Sequence, residues 1–281
     1  MRGKTVVITG ATSGIGEVAA IELAKQGARI VFTARDKNRA QATLEKLRRV
    51  NPASGHVVHF TDLSLLSEMR RAAEEIREEP IIDVLINNAG ALFNSRIETK
   101  DGLEKSFALN HMSYFVFTNL LLSRLKAGAR IINTASDAHH RAKLDFDDLQ
   151  SKKSYSGFSV YSKSKLCNIL FTRELARRIA GTGVTANALH PGFVATRFGD
   201  QSGGVLSALV RVAKPIGGIS PEEGAKTIIY LASSPEVARI SGEYFTKCAP
   251  AAPSAEARND QDAKKLWNVS AEIAGNALVN S

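Results

Sequence analysis

Short apolar runs alternate with amphipathic helical patterns along most of the chain. The first run is β-branched, starts at Thr5, breaks into a group of glycines and becomes helical by Glu17. Five further strand candidates follow it, at Ala28–Thr33, Val57–Phe60, Asp83–Asn87, Ala129–Thr134 and Val184–Leu189. This alternation predicts an α/β protein with a doubly wound parallel sheet that is covered by helices on both faces.

No internal repeat, low-complexity segment or linker interrupts the pattern, so we expect one Rossmann-type domain over residues 1–281. The stretch 197–219 is rich in glycine and carries apolar residues at helical spacing. Such a stretch is typical of a lid over a hydrophobic ligand, although the same apolar face would also serve to cover the sheet. Residues 247–281 are interpreted as a C-terminal extension.

The net charge of +9 does not indicate a nucleic-acid-binding protein. Basic residues are scattered through the helical segments and mixed with acids, as between Glu68 and Glu75. This pattern is typical of solvated helix faces and not of a basic stripe.

Cysteine content and apolar runs predict a soluble, cytoplasmic protein. Cys167 and Cys248 are the two cysteines, too few for a disulfide framework. The first strand starts so close to Met1 that we expect no signal peptide or membrane anchor. The strongest internal apolar stretch, Tyr114–Leu122, is too short to cross a bilayer.

Tyr161 and Lys165 are the most informative pair of residues for chemistry. Their spacing places a phenol and an ammonium on one face of a helix. A nearby positive charge favours phenolate, so we expect Lys165 to lower the pKa of Tyr161 and to prepare it for acid/base work. The same spacing also occurs on ordinary amphipathic helices, with the ring in the core and the ammonium in water.

The glycine group after the first strand predicts a strand–turn–helix arrangement that suits a bound pyrophosphate, although a purely structural turn would also contain glycines. Glycines let the backbone approach closely, and the following helix offers free N–H groups and its positive end. The spacing G-x-x-x-G-x-G departs from the common G-x-G-x-x-G fingerprint. The segment contributes Gly10, Thr12, Ser13, Gly14, Ile15 and Gly16 as candidate cofactor-binding residues.

Several motifs together resemble the short-chain dehydrogenase/reductase family, and within it the retinol-dehydrogenase-like group. They lie in the family's order along nearly the whole chain, and the tail from Ser241 to Ser270 is similar to that of the retinol-dehydrogenase-like members. The motifs are Thr9–Gly16, Asn87–Gly90, Asn110 in Leu109–His111, Ser136, Tyr161 with Lys165, and Pro191–Gly192.

The resemblance implies a role for each candidate. Tyr161 would exchange the proton, Ser136 would hydrogen-bond the reacting oxygen, Lys165 would hold the nicotinamide ribose and Asn110 would anchor a water next to the lysine. The cofactor would be lined by Asp62 and Leu63 at the adenine, Asn88, Ala89 and Gly90 at the ribose, and Pro191 and Thr196 at the nicotinamide. Asp62 is equally understood as an acid at a helix N-terminus.

Residues after the second strand favour NADP(H) over NAD(H). Arg35 stands where an NAD site would place an acid, and a guanidinium holds a 2′-phosphate in a bidentate fork. Lys37 and Arg39 add positive charge nearby. Asp36 would serve a ribose instead if the strand ended one residue later.

The resemblance implies an enzyme of the EC 1.1.1 type, which interconverts a carbonyl and an alcohol by hydride transfer. We expect a small-molecule substrate, apolar in character, such as a retinoid, steroid or aromatic carbonyl. Two alternatives stay open: an epimerase or dehydratase with tightly bound nicotinamide, and a non-enzymatic NADP-binding sensor.

We expect no metal, because His139 and His140 lack a metal-binding spacing. Helical patterns near Leu103–Leu125 and Ser159–Ile179 resemble those that pair subunits in the family, which would give a homodimer or homotetramer.

Overall fold

The computed structural model describes residues 1–193 and 218–275, and eight strands within them form one sheet in the order β3-β2-β1-β4-β5-β6-β7-β8. All neighbouring strands are parallel except β8, which runs antiparallel to β7. The doubly wound parallel sheet is therefore confirmed. The strands are β1 (Thr5–Ile8), β2 (Arg29–Ala34), β3 (Val57–Phe60), β4 (Ile82–Asn87), β5 (Leu125–Thr134), β6 (Thr185–His190), β7 (Tyr244–Thr246) and β8 (Ala249–Pro250).

Helices cover both faces of the sheet, which explains why the central strands are apolar throughout. Val7 of β1 belongs to the core on one face, whereas Val6 and Ile8 belong to the core on the other. A strand buried on both faces cannot show polar alternation. The helices are α1 (Gly14–Lys25), α2 (Lys37–Val50), α3 (Leu66–Ile76), α4 (Lys105–Phe107), α5 (Ser113–Leu121), α6 (Gly157–Arg178), α7 (Pro221–Ser233) and α8 (Asp260–Ala274).

The helical pattern predicted near Leu103–Leu125 is not one regular helix. Glu104 caps α4 by accepting hydrogen bonds from the N–H groups of Ser106 and Phe107. A π-helical turn over Ala108–Met112 then separates α4 from α5, and the strand β5 begins at Leu125. π-helical turns inside helices are frequent at functional sites, and this one contains Asn110.

The C-terminal extension packs against the long helix α6. Trp267 of α8 stacks on Phe171 with ring centroids 5.8 Å apart and contacts Phe115 edge-on at 5.0 Å. The guanidinium of Arg178 lies over the same indole at 4.3 Å. Aromatic contacts therefore fix α8 against the helix that carries Tyr161 and Lys165.

Among the described residues, no helix is both long enough and apolar enough to cross a membrane.

Candidate functional site

The candidate site lies at the carboxyl edge of the sheet, where the suspected residues follow successive strands. Gly10 follows β1, Arg35 follows β2, Asn88 follows β4, Ser136 follows β5 and Pro191 follows β6. Ligands of doubly wound sheets bind at this edge, so the topology brings these residues to one side of the protein.

The glycine loop is packed against the segment that follows β4. Gly10 has a φ of +70°, and a Cβ there would lie 2.8 Å from the Ala89 Cα. A Cβ on Gly16 would overlap the Gly10 carbonyl oxygen and the Asn88 amide nitrogen. Gly14 also has a positive φ, at +57°. Side chains at these positions would push the loop and the β4 segment apart.

Asn88 holds the loop in place. Its Nδ2 donates to the carbonyl oxygens of Thr9 and Gly10, both at 3.2 Å. The Thr9 hydroxyl in turn accepts from the N–H groups of Asn88 and Ala89 at 2.9 and 3.0 Å. In this structure Asn88 and Ala89 therefore hold the glycine loop in its conformation through these hydrogen bonds.

The N-terminus of α1 has the features of an anion site. Its N-cap residue, exposed Ser13, is extended and makes no side-chain capping bond. Thr12, Gly14 and Ile15 are partly exposed around it. The N–H groups of the first helical turn, and the positive end of the helix, therefore face the side on which a pyrophosphate would lie.

Arg35 and Asp36 differ in how they are placed. The strand β2 ends at Ala34, and the exposed Arg35 is the first residue beyond it. Asp36 is the N-cap of α2, and its carboxylate accepts from the Arg39 N–H at 2.9 Å. The Asp36 carboxylate is therefore engaged in a helix cap.

Asp62 forms a local turn rather than the cap of α3. Its carboxylate accepts from the N–H of Ser64 at 3.0 Å and from the Ser64 hydroxyl at 2.8 Å, and the buried Leu63 lies between them. The helix begins further along, at Leu66. The turn leaves Asp62 and Leu63 after β3, on the side where an adenine would lie.

Tyr161 is buried, and Ser136 is near enough to influence its phenol. The side chain is 8% exposed, and burial raises the pKa of Tyr161 to about 12, although Ser136 acts in the opposite direction. The expected lowering of this pKa by Lys165 is therefore not found, because desolvation of the phenolate outweighs the other influences. The phenol is protonated at neutral pH.

Lys165 lies on the same face of α6, one turn beyond Tyr161. Its Nζ donates to the Thr134 carbonyl oxygen at 2.9 Å. The side chain is 2% exposed, and burial lowers the pKa of Lys165 to about 7. A Cβ on Gly90 would lie 3.2 Å from the Asn110 Oδ1 and 3.3 Å from this Nζ, so a larger residue would crowd both groups.

Asn110 uses its side chain to join the β4 loop to α6. Its Oδ1 accepts from the Ala91 N–H, and its Nδ2 donates to the Ala91 carbonyl and to the Ser164 hydroxyl, all at 2.9 Å. The Ser164 hydroxyl continues to the Tyr161 carbonyl oxygen at 2.7 Å. Asn110 therefore positions the helix that carries Tyr161, a contribution that its motif alone did not indicate.

Two residues near Lys165 were not among the site residues predicted from the sequence. Tyr114 and Asn168 both donate to the Thr134 carbonyl, at 3.4 and 3.2 Å. Tyr114 stands in an apolar helical run, where an aromatic residue predicts core packing and nothing more. Only the pairing of α5 and α6 across β5 brings it to Lys165.

His139 is engaged on both ring nitrogens, which leaves neither for a metal. Nδ1 lies 2.7 Å from the Ser136 carbonyl, and Nε2 accepts from the Ser254 N–H at 3.1 Å. Asp137, His139 and His140 lie close enough to form a ligand set. With His139 occupied, two exposed side chains would remain to hold an ion.

The end of the site nearest β6 is described in part. Pro191 is partly exposed directly after β6. Thr196 lies outside the described residues, as does the stretch 197–219 apart from its last two residues.

Comparison with known proteins agrees with the fold. The profile of the short chain dehydrogenase family matches residues 4–203. The chain is 42% identical to human retinol dehydrogenase 14 over 298 residues, which cover 98% of this chain and 87% of that protein. The chain belongs to the short-chain dehydrogenase family, and it is accordingly an oxidoreductase that uses a nicotinamide cofactor.

Solved structures are similar over most of the chain. An uncharacterized protein from Mycobacterium paratuberculosis has a TM-score of 0.78 and 33% identity, with 97% of this chain and 94% of that chain covered. A short chain dehydrogenase from Burkholderia cenocepacia, solved in complex with NADP, has a TM-score of 0.70 and 25% identity, with 87% and 96% covered.

Proposed function

We propose that this protein is an NADP(H)-dependent oxidoreductase that interconverts a carbonyl and an alcohol, with Tyr161 as the proton donor and acceptor. The observation that carries the proposal is that the buried phenol of Tyr161 lies near Ser136, with the buried ammonium of Lys165 5.6 Å from the centre of the Tyr161 ring. Such an arrangement suits a reaction in which an oxygen gains and loses negative charge.

The protein's own residues supply the proton and the electrostatics. A carbonyl under reduction develops negative charge on its oxygen, and Ser136 would hydrogen-bond that oxygen while Tyr161 transfers its proton there. Since burial raises the pKa of Tyr161 to about 12, the phenol is in its donating form at neutral pH. The bound nicotinamide would supply or accept the hydride.

Lys165 and Asn110 support this step in different ways. Burial lowers the pKa of Lys165 to about 7. Its ammonium would favour phenolate after the proton leaves and would bind the ribose hydroxyls. Asn110 would hold α6 against the loop after β4. It would thereby keep the distance between Tyr161 and Ser136 constant.

The cofactor preference rests on Arg35. The exposed guanidinium stands directly after β2, whereas the neighbouring Asp36 is engaged in the cap of α2. We propose that Arg35 binds the 2′-phosphate of NADP(H). Changing Arg35 to Asp should weaken NADPH binding at least tenfold and favour NADH, because a carboxylate repels phosphate and accepts from ribose hydroxyls. Arg49→Asp, at an exposed position in the last turn of α2, is the control, and an equal loss there would mean a general effect of charge.

The substrate is proposed to be apolar near the reacting carbonyl. Phe158, three residues before Tyr161 on α6, is 44% exposed, and Phe193, two residues after Pro191, is 66% exposed. Large exposed apolar side chains beside a cleft favour an apolar ligand. The similarity to retinol dehydrogenase 14 supports a retinoid-like alcohol or aldehyde as the first compound to test.

Absorbance of NADPH and NADH over a panel of retinoid, steroid and aromatic carbonyls and alcohols tests the proposal. Tyr161→Phe should lower kcat by about a hundredfold or more and leave NADPH binding largely intact. Tyr155→Phe is the matched control, because that phenol bonds the Phe93 carbonyl at 2.9 Å, away from Ser136. Near wild-type turnover in Tyr161→Phe would refute the proton-donor assignment.

The same panel separates the proposal from its alternatives. Tight NADPH binding without turnover of any compound would favour a cofactor-binding sensor. Conversion of a nucleotide sugar without consumption of free NADPH would favour an epimerase or dehydratase.

A further inference from the structure

The ammonium of Lys165 lies within about 6 Å of two phenol rings from different helices. Its Nζ is 5.6 Å from the ring centroid of Tyr161 and 5.7 Å from that of Tyr114. Tyr161 belongs to the same helix, α6, whereas Tyr114 comes from α5. Both distances fall within the range in which a ring face attracts a cation.

Tyr114 is fixed in this position from two sides. Its ring is 0% exposed, so packing leaves it no freedom to turn away. Its hydroxyl donates to the Thr134 carbonyl oxygen at 3.4 Å, the same oxygen that accepts from Lys165 at 2.9 Å and from Asn168 at 3.2 Å. One carbonyl therefore ties the ring, the ammonium and α6 together.

We propose that Tyr114 is a positioning residue for Lys165, with its ring face stabilising the buried ammonium. The effect on the lysine is a property of the protein alone. Its effect on turnover rests on the proposed function.

The physical reason is the cost of burying a charge. Transfer of an ammonium into the protein interior disfavours the charged form, and burial lowers the pKa of Lys165 to about 7. A π face opposes this effect because it attracts the cation and not the neutral amine. The groups facing Nζ are the two phenols from α5 and α6, the Thr134 carbonyl from β5 and the Gly90 backbone from the β4 loop.

The direct test is titration of Lys165 by NMR on protein labelled with ¹³C at the lysine ε-carbon, with Lys165→Met identifying the signal. Tyr114→Leu should move the titration midpoint of Lys165 down by about one pH unit, since a desolvated cation–π contact changes the equilibrium roughly two- to thirtyfold. Tyr114→Phe keeps the ring and should retain the midpoint.

Phe115→Leu is the matched control. It removes an equally buried ring from the next position of α5, but that ring packs on Phe171 and Trp267. An equal midpoint change in Phe115→Leu, or none in Tyr114→Leu, would overturn the proposal. A downward change in Tyr114→Phe would also overturn it, since the hydroxyl would then be the active group.

A second series keeps the proposal testable if Tyr114→Leu does not fold. Phenylalanine with one, two or three ring fluorines at position 114 weakens the π face with little change of size. The midpoint of Lys165 should fall stepwise with fluorination, and a flat series would refute the role of the ring.

Turnover and cofactor binding give the functional consequence. Tyr114→Leu should raise the NADPH dissociation constant and lower kcat, each by roughly two- to thirtyfold, with the high-pH side of kcat/KM, where the charged form of Lys165 is lost, displaced in the direction of the NMR midpoint. If the wild-type protein bound NADPH without turnover, the proposed function would fail while the NMR result still decided the role of Tyr114.

Discussion

Replacement of Lys165 by methionine should stabilise the protein at neutral pH. Methionine has a similar unbranched chain and no charge, so it fills the same space between β5 and α6. The ordinary pKa of lysine is 10.5, and burial lowers the pKa of Lys165 to about 7 in the folded protein. At neutral pH the unfolded chain holds the Lys165 proton more tightly than the folded protein does, and this difference in proton binding destabilises the folded state.

The magnitude follows from these two values. Each pKa unit corresponds to about 1.4 kcal/mol, which gives a cost of about 4 kcal/mol at pH 7 and about 2 kcal/mol at pH 9. Loss of the hydrogen bond to the Thr134 carbonyl offsets about 1 kcal/mol at both pH values. Lys165→Met should thus be more stable than wild type by about 3 kcal/mol at pH 7 and about 1 kcal/mol at pH 9.

The sign is set by proton binding. Between pH 7 and 10.5 the unfolded state binds more protons at this position, so wild-type stability falls as pH drops from 10.5 to 7 and stays level below. Lys165→Met lacks this contribution, so its advantage should shrink with rising pH. Urea unfolding at pH 7, 8 and 9 measures the difference directly.

Lys163→Met is the control for this experiment. Lys163 lies on the same helix two residues earlier and is partly exposed, so its replacement should change stability by less than about 0.5 kcal/mol at each pH. The reasoning is refuted if Lys165→Met is less stable than wild type at pH 7, or if its difference from wild type is the same at pH 7 and pH 9.

Three further predictions concern other parts of the fold. Burial lowers the pKa of His111 to about 3, so the free energy of unfolding should fall as pH drops from 6.5 towards 3. In His111→Phe, the fall in unfolding free energy between pH 8 and pH 5 should be about 2 kcal/mol smaller than in wild type. Urea unfolding at both pH values measures this, and an equal fall in the two proteins would contradict it. Asn110→Leu removes three buried hydrogen bonds and should lower the unfolding free energy by about 2–4 kcal/mol. The control Asn119→Leu loses one bond, to the Phe115 carbonyl, and should cost about 1 kcal/mol. Equal losses in denaturant unfolding would mean that Asn110 does not join the β4 loop to α6. Gly16→Ala should weaken NADPH binding at least tenfold in a fluorescence titration because its Cβ would displace Gly10 or Asn88, and wild-type affinity would show that the loop tolerates the shift.

Much of the sheet was predictable because buried parallel strands are short apolar runs with clear ends. The predicted strand Val57–Phe60 has the bounds that the structure gives it. The start of β5 was not predictable: Leu125 pairs with Ile82, but the register then shifts before Val84 pairs with Arg130. Exposed residues fill that gap, and they carry no apolar pattern to indicate a strand.

The site was predictable in its residue types and not in its electrostatics. A spacing of four places Tyr161 and Lys165 on one face, as the structure has them. It does not indicate how deeply that face is buried, and burial reverses the expected direction of the pKa of Tyr161. The ring of Tyr114 depends on packing between helices that lie far apart in sequence, which no local pattern records.

The junction after β6 joins two parts of the chain that are far apart in sequence. The Ile219 N–H donates to the Phe193 carbonyl at 2.9 Å, and the Ile219 side chain lies where a Cβ on Gly192 would be. Gly192 also has a φ of +92°, a conformation that favours glycine. One substitution at position 192 would therefore disturb both the backbone after β6 and the contact with Ile219, so we expect this turn to tolerate little variation.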